Sequence, residues 1–313
     1  MIVEGTHPIL RVPVKAIMGY TPVREILVRY IPDLQDPETL NSIPEDVLLM
    51  NAPEYFPLPG PEAEQLAQDL QSFVSRMEEK IREEEAEFGV VVDHNDPVHI
   101  WSNTDEKIQE ACVAAIEEKY RDRTGEIIFY GPSNIQMWYS LEEDMLPYKA
   151  QNHGMGGCVD VEMIRYAERM LYNFEPRAVF FQTGSNDLAN GFTLEQILEN
   201  KKKMYSLFLE KMPETKLVVM SGLPLPGRQE FWADTVKTNE LLRKLCEETD
   251  RMYFMDATDA MLSAEGPEDM KTTTGDGRYF TPEYYRMDMI HLNKKGHDVW
   301  TAEMKKLLAE KNI

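Results

Sequence analysis

The sequence predicts an α/β protein in which helices cover both faces of a central parallel sheet. Strand-like apolar runs and helical patterns alternate regularly after Gly125, which is the order of elements in such folds. Some of these runs, such as Ala178–Phe181, are continuously apolar, as expected for strands that are buried on both faces. Polar or glycine-rich segments follow several of the runs, at the sheet edge where open α/β sheets bind their ligands.

The first sixty residues do not share this alternation. Val12–Met18 and Glu25–Tyr30 are interpreted as short strands because both segments are rich in apolar and β-branched residues. Six prolines then interrupt the chain between residues 32 and 59, which is typical of irregular structure.

A long helix is predicted next. Pro61 suits the first turn of a helix, and the apolar residues of 61–88 recur at spacings of three and four, the pattern of an amphipathic helix. We therefore expect residues 1–100 to form a partly helical extension and residues 101–313 to form the sheet domain.

The elements of the sheet domain are assigned from the same patterns. The predicted strands are Ile127–Tyr130, Ala150–Asn152, Ala178–Thr183, Leu217–Ser221 and Met252–Met255. The predicted helices lie near residues 105–120, 135–145, 159–173, 194–211, 229–249 and 297–310.

The charge of the chain limits the class of its partners. The 313 residues include 33 Lys and Arg against 55 Asp and Glu, which gives a formal net charge of −22. Nucleic-acid binding needs clustered basic side chains, and an acidic surface is a poor match for anionic membranes. We therefore expect a small-molecule partner, with no nucleic acid and no membrane insertion.

Cysteine usage and the N-terminal segment indicate the compartment. The three cysteines, Cys112, Cys158 and Cys246, are far apart and odd in number, so they imply no disulfide framework. Arg11 and Lys15 interrupt the first twenty residues, which therefore lack the apolar centre of a signal peptide. No apolar run approaches the length that spans a bilayer. The expected location is the cytoplasm.

Four segments carry polar groups that converge if the strands end at one edge. Three of them follow predicted strands: Gly131–Asn134, Asn152–Gly157 and Thr183–Asp187. The fourth, Asp288–Asn293, precedes the last predicted helix. Each segment alone is a weak signal, since a serine after Gly-Pro or a glycine cluster after a strand is usually only a turn. Their occurrence together and in this order favours a catalytic site.

The residue types in these segments are those that acyl transfer needs: a nucleophile, a base, a group that orients the base, and donors for the oxyanion. Ser133 is the candidate nucleophile, His291 the candidate base, and Asp288 the group that fixes its tautomer. The candidate oxyanion donors are the backbone N–H groups of Ser133 and Gly157 and the side-chain amide of Asn186. An amide donates without carrying charge, which suits a neutral substrate carbonyl.

Other candidate sites are weaker. His153, beside the second segment, is a candidate for lining the site, whereas His297 on the last helix is expected at the surface or in packing. The sequence has no His-Glu-x-x-His or Cys-x-x-Cys for a metal and no glycine-rich loop for a nucleotide, so no metal and no cofactor are predicted. The absence of Gly-x-Ser-x-Gly disfavours an α/β-hydrolase.

The four segments resemble the sequence blocks of the SGNH/GDSL hydrolase superfamily. The members of this superfamily are esterases and acylhydrolases. The Ser, Gly, Asn and His of that family correspond to Ser133, Gly157, Asn186 and His291. The family's last block, Asp-x-x-His-Leu-Asn-x-x-Gly, matches the segment around His291, and FYGPSNIQMW around Ser133 resembles a version found in one branch of GDSL-like esterases. The resemblance covers roughly residues 100–313 and implies a flavodoxin-like three-layer sandwich.

Two positions depart from the family pattern. The usual Gly-Asp-Ser is Gly-Pro-Ser here, and Pro132 removes one backbone donor beside the nucleophile. Cys158 stands where an Asp or a small polar residue commonly follows the oxyanion glycine, a change that bears on leaving-group access.

The resemblance implies a serine esterase that cleaves a carbohydrate O-acetyl ester or a short-chain acyl ester through an acyl-enzyme on Ser133. Two alternatives stay open: a catalytically weak binding or scaffold protein on the same fold, and an O-acyltransferase. Residues 1–100 motivate the scaffold hypothesis, and three roles are open for them: a cap over the site, an interface in a homo-oligomer, or packing on the sheet.

Overall fold

A computed structural model describes residues 3, 10, 14–18, 21–44, 46–88, 106–264, 277–286 and 288–313. The chain divides into two compact units, Met1–Gly89 and Val90–Ile313. The predicted domain boundary near residue 100 lies outside the described residues. Among the helices of the described ranges, none combines the length and the apolar character needed to cross a membrane.

The first unit is helical throughout its described elements. Its α-helices are α1 (Val14–Ile17), α2 (Thr21–Tyr30), α3 (Pro37–Ser42), α4 (Ala52–Tyr55) and α5 (Gly60–Phe88), with 3-10 turns at Pro32–Gln35 and Leu49–Asn51. The long helix predicted over residues 61–88 is confirmed by α5.

The two short strands predicted in this unit are wrong, because α1 and α2 occupy those segments. The buried side chains of α2 are Val23, Ile26 and Leu27, and this spacing of three and four places them on one face of a helix. Val14 and Ile17 repeat the spacing of three in α1 and are also buried. The β-branched composition suggested strands, but the periodicity of the buried residues is helical.

The second unit is organised around a parallel sheet of five strands in the order β2-β1-β3-β4-β5. The α/β class and the five predicted strands are confirmed. Because β1 lies between β2 and β3, the loops that follow these three strands are neighbours at one edge of the sheet. The strands are β1 (Ile127–Gly131), β2 (Ala150–Gly154), β3 (Ala178–Phe181), β4 (Lys216–Met220) and β5 (Met252–Met255), and a separate antiparallel pair is formed by β6 (Leu262–Ser263) and β7 (Tyr279–Phe280).

Helices cover both faces of the sheet: α6 (Glu106–Tyr120), α7 (Ser133–Gln136), α8 (Leu141–Asp144), α9 (Asp160–Met170), α10 (Ser185–Ala189), α11 (Leu194–Lys211), α12 (Trp232–Glu247) and α13 (Lys294–Lys311). Side chains of α6, α9, α11 and α12 share one core with Tyr130 of β1. Phe129, the preceding residue, stacks on Phe180 at 4.8 Å between ring centroids. Trp138 contacts Phe129 and lies against Trp300 of α13. Successive strand residues point to opposite faces, so the sheet is the middle of three layers.

The single helix predicted over residues 135–145 is wrong, because side-chain hydrogen bonds interrupt it. Asn152 Nδ2 donates to the carbonyl oxygens of Ile135 and Trp138 at 2.6 and 3.1 Å. The indole N–H of Trp138 donates to Asp144 Oδ2 at 2.7 Å. These bonds stabilise a turn between α7 and α8 and tie that turn to β2.

Candidate active site

Ser133 stands at the turn between β1 and α7. The carbonyl oxygen of Pro132 accepts from the backbone N–H groups of Ile135 and Gln136 at 3.0 and 3.1 Å, which closes the turn. A Cβ added at Gly154 would lie 2.1 Å from the nitrogen of Gln136, so only glycine lets α7 pack this closely on β2. A fixed turn therefore holds Ser133, which is 7% exposed.

The second turn of the site, residues 288–291, is called the acid–base turn. Asp288 Oδ1 accepts from the backbone N–H groups of Ile290 and His291, both at 2.8 Å. Met289 has a φ of +59°, in the left-handed region that residues with a side chain seldom adopt. Its N–H donates to the carbonyl oxygen of Arg286 at 2.8 Å. The carboxylate of Asp288 thus shapes the turn that carries His291.

The two turns bring three predicted side chains into one hydrogen-bonded chain. His291 Nδ1 is 2.7 Å from Asp288 Oδ2, and His291 Nε2 is 2.8 Å from Ser133 Oγ. All three side chains are buried. A carboxylate beside Nδ1 favours the tautomer with its proton there, which leaves Nε2 to accept from the serine hydroxyl. This arrangement is chemically able to remove a proton from Ser133.

Asp288 is ionised at neutral pH. Burial by itself raises the pKa of this carboxyl group, but the charge of His291 and the hydrogen bonds from its ring and backbone, and from the N–H of Ile290, lower the pKa to about 2. The group is therefore an acceptor at both oxygens, as its three hydrogen bonds require.

Asn134 joins the turn that holds Ser133 to the acid–base turn. Its Oδ1 accepts from the N–H of Leu292 at 2.8 Å, and its Nδ2 donates to the carbonyl oxygen of Ile290 at 3.3 Å. Its own carbonyl oxygen accepts from His297 Nε2 at 3.1 Å. His297 stacks on Trp138, and burial lowers its pKa to about 3. The packing role expected for His297 is found, but its hydrogen bond to Asn134, the residue after Ser133, was not predicted.

Besides Ser133, the predicted oxyanion donors lie after β2 and β3, Gly157 in the loop after β2 and Asn186 in the first turn of α10. Gly157 has a φ of +73°, which glycine adopts without strain. Within the described part of the chain, the backbone N–H groups of Ser133 and Gly157 have no protein acceptor. Asn186 Nδ2 donates to the carbonyl oxygen of Cys158 at 3.1 Å, and a primary amide carries a second hydrogen. Three N–H donors thus lie at the ends of three adjacent strands.

Buried charges connect the two loop regions that carry Gly157 and Asn186. Lys201 of α11 is 1% exposed, and its Nζ is 3.1 Å from both carboxylate oxygens of Asp160 and also contacts Thr183 Oγ1. The N–H of Asp160 donates to Asp187 Oδ1 at 3.1 Å. Burial, followed by the charge of Asp160, raises the pKa of Asp187 to about 7, against the opposing effect of Lys201. The loops are therefore held by contacts between distant parts of the sequence.

His153, named as a candidate for lining the site, has its hydrogen-bond partners elsewhere. Its Nδ1 is 2.6 Å from the carbonyl oxygen of Met170, and its Nε2 is 2.9 Å from Gln151 Oε1. The ring stacks on Tyr120, and burial lowers its pKa to about 3. Strand alternation turns residue 153 toward the face that α9 covers, away from the strand ends.

Arg228 is a site residue that the sequence did not reveal. Its Nη1 donates to Ser185 Oγ at 2.6 Å and to Asn186 Oδ1 at 3.1 Å. It lies 42 residues from Asn186 along the chain and belongs to none of the four polar segments, so no local pattern marks it.

Comparison with known proteins places the chain in a family. The model of the GDSL-like lipase/acylhydrolase family matches residues 131–299, more than half of the chain. The protein therefore belongs to the GDSL-like lipase/acylhydrolase family, and the resemblance drawn from its sequence is confirmed. Among the described residues, no group of three or more His, Cys, Asp or Glu side chains is arranged to hold a metal ion.

Curated relatives include the platelet-activating factor acetylhydrolase IB subunit alpha1 of Homo sapiens and of Bos taurus. Each is 28% identical to this chain over 187 residues, which is 56% of this chain and 72% of the relative.

Two solved structures share the fold. One, from Streptococcus pneumonia and provisionally described as a platelet activating factor, is 20% identical with a TM-score of 0.53, and the match covers 65% of this chain and 95% of the other. The second, provisionally described as an acylhydrolase of Bacteroides fragilis, is 17% identical with a TM-score of 0.51, over 62% and 94% of the two chains. At these identities the likeness concerns the fold alone.

Proposed function

We propose that the protein is a serine esterase that cleaves a small ester through an acyl-enzyme on Ser133. The hydrogen-bond chain from Ser133 through His291 to Asp288 supports this most directly. Membership of an acylhydrolase family supplies the reaction class. In this proposal residues 101–313 carry the catalytic function.

Each half of the reaction uses His291 first as base and then as acid. Ser133 Oγ attacks the ester carbonyl carbon while His291 Nε2 takes the hydroxyl proton. The tetrahedral intermediate breaks its bond to the alcohol oxygen, which receives that proton. Water then attacks the acyl-enzyme, His291 takes a proton from the water, and Ser133 recovers a proton as the acid leaves. Asp288 stays ionised and stabilises the imidazolium in both halves.

The carbonyl oxygen of the substrate becomes negative in each tetrahedral intermediate. The proposed donors are the N–H groups of Ser133 and Gly157 and the second amide hydrogen of Asn186. Removing one such donor typically lowers kcat by ~10²–10³-fold. Pro132 has no N–H, so it adds no donor beside that of Ser133.

Two observations favour a short acyl group. Ser133 sits in a closed turn and is 7% exposed. The curated relatives are named as acetylhydrolases, and acetyl is the shortest common acyl group in esters. A short-chain acyl ester or a carbohydrate O-acetyl ester is the substrate class that we propose.

The assignment is tested with the Ser133→Ala variant on p-nitrophenyl acetate. We expect kcat to fall by roughly 10⁵–10⁶-fold, with an unchanged circular dichroism spectrum because the hydroxyl is small. Ser140→Ala, at the turn before α8, is the matched control and should retain activity. Equal turnover by Ser133→Ala and the wild type would refute the assignment.

Covalent labelling separates the esterase from a scaffold on the same fold. A fluorophosphonate should label the wild type once, on the peptide that contains Ser133. Absence of both label and turnover would instead favour a binding or scaffold role. An O-acyltransferase would be labelled too, but it would pass acetyl to an added sugar faster than to water, which product analysis detects.

A further inference from the structure

A short segment after β4 contacts the acid–base turn. The N–H of Gly227 donates to the carbonyl oxygen of Met289 at 2.8 Å. A Cβ added at Gly227 would lie 2.8 Å from the carbonyl oxygen of Asp288, so the two backbones approach closely. Tyr285 adds a hydrogen bond from its hydroxyl to the carbonyl oxygen of Pro224 at 2.8 Å. The segment of residues 224–228 is therefore docked on the turn that carries His291.

The last residue of this segment, Arg228, contacts Ser185 and Asn186. Its backbone leaves the helical conformation of its neighbours, with φ −139° and ψ 40°. Its Nη1 donates to Ser185 Oγ and to Asn186 Oδ1, at 2.6 and 3.1 Å. A guanidinium NH₂ carries two hydrogens, so one nitrogen serves both acceptors in the first turn of α10.

The two partners of Asn186 allow one orientation of its amide. Oδ1 faces Arg228, which can only donate, and Nδ2 faces the carbonyl oxygen of Cys158, which can only accept. A flipped amide would place its NH₂ against the guanidinium and its oxygen against a carbonyl oxygen. Only the observed orientation directs the NH₂ group of Asn186 toward Cys158, which follows Gly157 in the loop after β2.

We infer that Arg228 is a positioning residue for the oxyanion amide of Asn186. It holds the carbonyl end of that amide so that the remaining Nδ2 hydrogen serves the substrate oxygen. Because residues 224–228 are also docked on the acid–base turn, the same segment couples the placement of His291 to that of Asn186. The inference rests on the proposed esterase function and adds to it a residue outside the four family blocks.

A double-mutant cycle tests the inference by kinetics. Asn186→Ala should lower kcat by ~10²–10³-fold, and Arg228→Met should lower kcat by ~10-fold or more with KM changed by less than about threefold, because the effect lies in the transition state. If Arg228 acts through Asn186, the double variant is no slower than Asn186→Ala alone. Losses that multiply would overturn the inference.

Two further variants separate other causes. Arg243→Met removes an arginine that pairs with Asp256 on an exposed surface, so it should retain wild-type kcat. Ser185→Ala removes the second acceptor of Arg228 and should cost less than Arg228→Met. If Ser185→Ala reproduces the whole loss, the arginine works through Ser185 and the inference is wrong.

A readout that does not depend on turnover keeps this test separate from that of the esterase assignment. The side-chain amide signals of Asn186 in a ¹⁵N NMR spectrum are identified by their absence in Asn186→Ala. In Arg228→Met these signals should shift or broaden, whereas Arg243→Met should leave them in place. Unchanged signals in Arg228→Met would overturn the inference even in an active esterase, and shifted signals would support it even if no ester is hydrolysed.

Discussion

The proposed acid–base half of the site and the proposed oxyanion half meet at one sheet edge, but different interactions hold them. Residues 288–291 form a local turn in which one carboxylate accepts two backbone N–H groups and the imidazole. The segments that carry the proposed oxyanion donors Gly157 and Asn186 are instead joined through three buried residues that lie far apart in sequence, Lys201, Asp160 and Asp187. A site of this kind can therefore be damaged in two ways: by removing a reacting group, or by removing one partner of a buried ion pair.

The two buried aspartates show the same contrast in their pKa values. Hydrogen bonds and the charge of His291 outweigh burial at Asp288 and lower its pKa to about 2. At Asp187, burial and the charge of Asp160 dominate and raise the pKa to about 7. Asp187 Oδ2 has no hydrogen-bond partner among the residues that the structure describes. Burial therefore raises the pKa of a carboxyl group unless hydrogen-bond donors replace the lost water.

Among the variants that compare the two halves, the largest effect is expected from Asp288→Asn, which removes the carboxylate proposed to orient His291 and spares its turn. The amide oxygen can still accept from the backbone N–H groups of Ile290 and His291, but the NH₂ group disfavours the tautomer that accepts from Ser133. We expect kcat to fall by ~10⁴-fold. Asp298→Asn on the exposed side of α13 is the control. Steady-state kinetics showing less than a tenfold loss would remove Asp288 from the mechanism.

A large loss of stability is expected from Lys201→Met in the oxyanion half. The substitution leaves Asp160 buried without its cation, which typically costs about 3–5 kcal/mol of unfolding free energy. Lys202→Met, at an exposed position of the same helix, is the matched control in urea unfolding. Adding Asp160→Asn to Lys201→Met should recover part of the loss. A stability within about 1 kcal/mol of wild type would show that the pair contributes little.

A smaller and pH-dependent effect is expected from Asp187→Asn. The folded pKa of Asp187, about 7, lies above its ordinary value of 3.8, so its contribution to stability is full below pH 4 and is lost as the pH rises through 7. The Asn variant keeps an acceptor for the N–H of Asp160 and lacks this titration. Its stability relative to wild type should therefore rise between pH 4 and 7, by at most about 4 kcal/mol. Urea unfolding at several pH values measures this, and a difference that is independent of pH would contradict it.

Four strands of the sheet were predictable from sequence because each is built on a short apolar run followed by turn residues, whereas β2 contains the polar residues Gln151, Asn152 and His153. Helix α11 was predicted at the bounds it has, Leu194–Lys211. The contact between Ser133 and His291 followed from the family blocks, and the structure places those side chains within hydrogen-bond distance, while their catalytic roles stay a proposal. Helices α1 and α2 were mistaken for strands, since a short apolar segment fits either period.

The supporting residues of the site were not predictable in the same way. Arg228 and Lys201 act through partners 41 to 42 residues away, and such contacts depend on tertiary packing. Lys201 did carry one signal, since it falls in the buried stripe of α11 with Ile197, Met204 and Phe208. A charged residue at an apolar position of a periodic helix indicates a buried partner, even where its identity is hidden.

The distance along the chain between the hydroxyl and its base has a consequence for folding. Ser133 and His291 are 158 residues apart, and the entropy lost in closing a loop increases with the logarithm of its length, by about (3/2)RT ln n. We expect helices to form on refolding before this loop closes, so far-ultraviolet circular dichroism should recover before ester turnover does. The delay between the two signals would measure how long the C-terminal segment takes to dock. During synthesis, a nascent chain whose residue 291 has not yet left the ribosome would have no esterase activity.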